Sequence, residues 1–158
     1  MTEDKRLHTV CFTGHRYIPQ DRYDALKVQL TDLLENLIRQ GYCYFGCGGA
    51  LGFDTLAALT VLSLQEKYPE IKLILVLPCY DQCKGWLEKD VKVFNDILER
   101  ANKVVYVEKN YTPECMFKRN RHLVDNSSLC ISYLTKNTGG TAYTVKYAEE
   151  KGLRIINL

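Results

Sequence analysis

Little in this sequence is extreme, and its shortages are informative. Net charge is only +2 over 158 residues, which argues against a chain that binds nucleic acid over its whole surface and leaves room for a local basic patch. There is no long apolar run. The longest, Leu73–Leu77 ending at Pro78, is far shorter than the roughly 20 residues that span a bilayer, so no membrane association is expected. The opening residues MTEDKRLHTVCF are charged before they are briefly apolar, unlike a secretory leader. The seven cysteines are an odd number scattered through periodic segments. They read as reduced thiols of a cytoplasmic protein, not as a disulfide frame. Linkers, repeats and low-complexity stretches are missing too, so residues 1–158 read as one domain.

What is present is an ordinary globular composition, 46% hydrophobic and 25% charged. A chain of this length buries about 68–70% of the surface that its unfolded form exposes. Strand and helix signals alternate throughout. Short β-branched or apolar runs fall at 8–12, 43–45, 71–77, 104–107, 129–134 and 154–157. Between them, apolar residues recur with a helical period at 21–40, 53–67, 86–101, 116–125 and 141–151. Helices separating two-sidedly apolar strands predict an α/β, Rossmann-like fold: a mainly parallel sheet with helices on both faces.

The unusual residues fall just after the predicted strands, where open parallel sheets bind ligands. Thr13, Gly14, His15 and Arg16 follow the first strand. Arginine suits bidentate phosphate or carboxylate contact, whereas His15 reads equally as a donor or as a residue packed against its loop. Gly48, Gly49, Gly52 and Asp54 follow the second. That turn is equally consistent with an anion-binding helix start, Asp54 reading a ribose or base, and with a tight turn and an acidic cap. Gln82 and Trp86 follow the third strand and Tyr111 the fourth; Trp86, the single tryptophan, can stack on a base or anchor a helix. Gly139, Gly140 and Thr141 open the last helix, which reads either as a second phosphate-binding end or as simple capping by Thr138 or Thr141. In the run from Phe117 to Arg121, helical phase lets one or two cations face the crevice; Arg119 and its polar neighbour Asn120 are the candidates, and Lys118 reads as part of a solvated basic face. Cys43 with Cys47 and Cys79 with Cys83 have a C-x-x-x-C spacing unlike a zinc ribbon. No metal, cofactor or catalytic residue is assigned.

Five ordered segments together resemble the SLOG superfamily, most closely its YpsA-like branch of small bacterial and phage proteins. They are FTGHR at 12–16, GGALGFDTLAA at 48–58, the residues Pro78, Gln82 and Trp86, CMFKRNRHLVDNSS at 115–128, and GGTAYTVKYAEEKG at 139–152. The resemblance implies a Rossmann-like domain that binds or senses a nucleotide-derived phosphorylated ligand such as an ADP-ribose or NAD relative, and a homodimer through helices flanking the sheet. Two related families imply alternatives. Arg119, Asn120 and Arg121 with Ser127 are similar to a run in the DprA family, which binds single-stranded DNA. The LOG phosphoribohydrolases cleave nucleoside monophosphates with a glutamate in a GGxGTxxE motif, and Lys146 stands at that position here. Losing such a carboxylate typically costs ~10²–10⁴-fold in rate, so the enzyme reading is the weaker one.

Overall fold

The computed structural model describes residues 2–158. The chain runs α1 (Glu3–Leu7), β1 (Thr9–Gly14), α2 (Gln20–Arg39), β2 (Tyr44–Cys47), α3 (Phe53–Leu64) and β3 (Lys72–Leu77). It continues through α4 (Glu88–Arg100), β4 (Lys103–Tyr106), α5 (Cys115–Asp125), β5 (Leu129–Tyr133), α6 (Gly140–Glu150) and β6 (Arg154–Asn157). Helix α1 was not expected from periodicity, because five residues are too few to show an apolar face. It is held by Thr2, whose hydroxyl accepts the Lys5 N–H at 3.3 Å. Helix α4 starts at Glu88 instead of Trp86, because a turn through Gly85 (φ +84°) carries the Trp86 N–H to the Cys83 carbonyl.

Six parallel strands form one sheet in the order β4-β3-β2-β1-β5-β6. From β1 to β4 the chain steps in one direction; it then returns to place β5 beside β1. Right-handed crossovers therefore put α2, α3 and α4 on one face and α5 and α6 on the other. Two cores reflect this division. Leu26, Leu30, Leu34, Phe53, Leu56 and Ile97 pack against Val10, Phe45 and Leu75 on the first face. Leu123, Val124 and Ala148 pack against Cys11, Val76 and Cys130 on the second. The fold is the α/β, Rossmann-like arrangement, and its switch point lies between β1 and β5. No helix among the described residues is long and apolar enough to cross a membrane.

Helix α2 buries Leu26, Leu30, Leu34 and Leu37, a stripe at helical spacing, and stops before Gly41 at φ +106°. Helix α3 lies between α2 and α4 over β1, β2 and β3. Nine of its twelve residues are buried, so its sequence is apolar almost all round. Under the carboxyl ends of the strands, Phe12 stands 6.3 Å from Phe45 and 6.4 Å from Phe53, and Phe53 stands 5.9 Å from Tyr133. Such pairs add about 0.5–1.5 kcal/mol each beyond area burial, and they give the switch point a rigid floor.

Candidate functional site

A cavity of ≈ 350 Å³ opens at the switch point. Its walls are Thr13, Gly14, His15 and Arg16 from the end of β1, Ala50 and Asp54 from the turn into α3, and Arg119 and Asn120 from α5. Lys136, Thr138, Gly139, Gly140 and Thr141 close it from the β5 side. Ten of the fifteen residues singled out in the sequence thus meet in one space.

Gly48, Gly49 and Gly52 are absent from that lining, and their places have local causes. Gly52 (φ +77°) lies so close beneath the Arg16 carbonyl that no Cβ fits. The Phe53 N–H donates to the His15 carbonyl at 3.1 Å, so the loop after β1 covers the start of α3. Of the two helix ends expected to face an anion, this one has its first N–H taken by backbone and lies under the loop after β1. Asp54 turns back instead, and its Oδ2 accepts the Ala50 N–H at 3.3 Å.

Arg119 and Asp54 are buried together, with 5% and 6% of their surfaces exposed. Arg119 donates through Nη1 to the Gly48 carbonyl and through Nε to Asn120 Oδ1 at 2.8 Å. Burial raises the Asp54 carboxyl above its ordinary pKa, against the pull of Arg119, the Ala50 N–H and Arg16. Burial also lowers the Arg119 guanidinium, against the pull of Asp54. Desolvation thus outweighs mutual attraction on both sides, as it commonly does for interior charges. Lys118, one residue earlier, points outward and pairs with Glu108 at 2.7 Å. Helical phase alone separates the two cations.

The β5 side is different. Helix α6 follows Gly139 at φ +93° and no side chain caps it, so its first N–H groups retain the positive end of the helix dipole. Thr144 bonds back to the Gly140 carbonyl at 2.8 Å, which leaves Thr141 as the buried hydroxyl of the lining. His15 ties the two loops together: its Nε2 accepts the Thr135 N–H at 2.9 Å, which places the ring proton on Nδ1. Burial, and then the nearby Lys136 charge, lowers its pKa.

A second cavity of ≈ 360 Å³ adjoins the first and is lined by Arg16, Asp81, Gln82, Trp86, Tyr111 and Met116, among others. Gln82 and Trp86 are found here, on the far side of Arg16 from the α6 start.

A family model described as the YspA SLOG family matches residues 12–155. The chain belongs to that family. It is 32% identical over 127 residues to the UPF0398 protein of Bacillus pumilus (strain SAFR-032), covering 78% of this chain and 68% of that protein. To the uncharacterized SPbeta prophage-derived protein YoqJ of Bacillus subtilis (strain 168) it is 30% identical over 138 residues, covering 79% and 81%. Among solved structures, DNA processing protein A from Helicobacter pylori superposes with a TM-score of 0.70 at 20% identity, over 98% of this chain and 66% of that one. DprA from Streptococcus pneumoniae gives 0.70 at 16%, over 97% and 50%. This SLOG chain therefore spans about two thirds and one half of the two DprA chains, and at such identity the likeness is one of fold.

Other motifs of this YspA SLOG member lie elsewhere. Lys146 is exposed on α6 and outside both cavities. Ser127 is buried, with its hydroxyl on the Leu123 carbonyl at 2.8 Å, in a separate groove. Arg121 lies on the surface, donating to the Tyr143 hydroxyl at 2.9 Å. Among the described residues no cluster of three or more His, Cys, Asp or Glu could hold a metal, and all seven cysteines are free thiols. Lys136, Met116 and Phe117 line the first cavity and escaped sequence reasoning. Lys136 had a readable signal, a cation two residues before the helix-opening Thr138-Gly139-Gly140; Met116 and Phe117 had none beyond their helix.

Proposed function

We propose that this protein binds a phosphorylated, nucleotide-derived ligand in the switch-point cavity. The observation that carries the reading is the start of α6. An uncapped helix end opens into a space that also holds Arg16 and Lys136, two exposed cations with no carboxylate partner within ion-pair distance among the described residues. A helix N-terminus with two unneutralised cations favours a polyanion over a neutral metabolite. Thr141 supplies a hydroxyl to the same wall. Binding without turnover is the natural reading, since Lys146 occupies the position of the LOG glutamate and the lining carboxylate, Asp54, is engaged by its own turn. The test is a thermal-shift and calorimetric titration with AMP, ADP, ADP-ribose and NAD. Stabilisation that disappears in Arg16→Ala and Lys136→Ala supports the site; no stabilisation by any of the four sinks it.

A second reading rests on a different observation. Phe117 and Tyr143 stand edge to face at 4.6 Å, and Tyr143 stacks on Tyr147 at 6.5 Å, forming an aromatic row beside the cavity with Arg121 bonded to it. Exposed aromatics and cations together suit successive bases of a single strand. The Helicobacter pylori neighbour was described for its single-stranded DNA binding mode. Oligonucleotide binding with a steep salt slope, lost in Tyr143→Ala and retained in Arg16→Ala, would favour this reading over the first.

A further inference from the structure

We propose that the cavity beside Trp86 is a second subsite of the same ligand site, one that takes a planar, N–H-bearing heteroaromatic ring whose attached phosphates lie in the switch-point cavity. This rests on the phosphate reading above and extends it to the ligand's other end.

Continuity comes first. A neck of only ≈ 10 Å³ lies between the two cavities, and Arg16 and Met116 line all three spaces. Ten cubic ångströms is about one water, and two flexible side chains, Arg16 and Met116, stand where the spaces meet. Arg16 is exposed and without a partner carboxylate, and methionine repacks readily. Each cavity alone is at the lower end of the ~300–1,000 Å³ typical of small-molecule sites. Joined, they suit a ligand larger than a mononucleotide.

The second cavity also has the chemistry of a ring-binding site. Trp86 is fixed edge to face on Phe94 with centroids 5.7 Å apart, so its position is set by the core before any ligand arrives. Tyr111, 64% exposed, lines the same space. Gln82 lines both the cavity and the neck, and its amide orientation is determined. Nε2 donates to the Gly49 carbonyl at 2.7 Å, which a reversed amide could not do. Oε1 is left buried with no hydrogen-bond donor, the one such side-chain atom among the described residues. An unpaired acceptor on a side chain that lines an aromatic-walled space calls for a ring N–H or an exocyclic amine, met when the Gln82 amide turns toward the cavity. Arg16, common to both cavities, is placed to meet the linking phosphates.

Trp86 is the single tryptophan, so its emission reports this cavity directly. Inorganic pyrophosphate, AMP and NAD are titrated into the full chain, with thermal stability and tryptophan emission read in parallel. Pyrophosphate is expected to stabilise the protein without altering emission, and AMP and NAD to stabilise it and alter emission. Tyr111→Ala, an exposed change that leaves the fold intact, should weaken NAD about fivefold or more, as expected for loss of one stacked ring, and leave pyrophosphate unchanged. If AMP and NAD stabilise the protein with no change in emission and no effect of Tyr111→Ala, the second subsite is wrong and the phosphate site stands. An equal emission change with pyrophosphate also overturns it. If none of the three binds, both readings fall.

Discussion

Arg119 donates from Nη1 to the carbonyl of Gly48, a residue where a Cβ would stand 2.7 Å from that same nitrogen and 2.9 Å from Asp54 Oδ2. The absent side chain of Gly48 is what lets a guanidinium from α5 reach across the end of β2 to the turn that holds Asp54. Glycine here serves an internal bond, whereas the sequence pattern had suggested close approach to a ligand.

Removing that cation should be costly. Arg119→Met is expected to destabilise the protein by about 1–3 kcal/mol, because the buried Gly48 carbonyl loses its charged donor and Asp54 loses the nearby cation that favours its ionised form. Asp54→Asn in the same background should recover part of the loss. Urea unfolding of the two single variants and the double variant measures the coupling. Strict additivity would contradict an electrostatic coupling between the two buried groups.

Two neighbouring glycines should respond in opposite ways. Gly139 has φ +93° and ψ −173° with open space around its Cβ position, so Gly139→Ala is charged with backbone strain alone, about 1–3 kcal/mol. Gly140 has neither positive φ nor a neighbour within 4 Å. Gly140→Ala should be neutral or add about 0.4–1 kcal/mol through the unfolded chain. Thermal denaturation of the pair distinguishes them.

Acid should weaken the fold through histidine. Burial lowers the pKa of His15 and of His122, so the unfolded chain binds protons more readily than the folded one. Their contribution is complete above the unfolded value of about 6.5 and is lost as pH falls from there through the folded values. The raised carboxyl of Asp54 acts in the opposite sense, its destabilising effect growing as pH rises through its folded value. The check is therefore a difference. Between about pH 6.5 and 5, stability of the wild type should fall more steeply than that of a His15→Asn, His122→Asn double variant, and parallel curves would refute the assignment.

Arg16→Ala should separate binding from folding. An exposed side chain with no bonded partner changes stability by about 0.5 kcal/mol or less, yet it lines both cavities. Unchanged melting with lost nucleotide response is the expected pair of results, read by thermal shift with and without ligand.

Much of this was legible locally. The strands at 71–77 and 129–134 announced themselves as apolar runs buried on both faces, and α2 by leucines at helical spacing. The first turn of α6 was readable because a glycine pair before a helix is a local pattern. Helix α1 was invisible, being too short to carry a period, and the start of α4 was displaced by the turn through Gly85. In the cluster from Phe117 to Arg121, helical phase predicted that few cations would face inward, and Arg119 was the candidate cation. Arg119 is the buried one because the phase of α5 is set by Leu123 and Val124 against Cys11 and Val76.

The sequence by itself determined the parallel α/β class and pointed to the edge of the sheet where the cavity opens, because periodicity and strand-end glycines are properties of neighbouring residues. Only the tertiary structure decided which helix start remains open. The His15 carbonyl meets the Phe53 N–H across 38 positions of sequence and lays the loop after β1 over the start of α3, while the start of α6 lines the cavity. Only the folded chain, too, divided the strand-end residues between two cavities with Arg16 between them. Such pairings depend on strand order and helix phase, which are settled when the whole core packs and have no local signature.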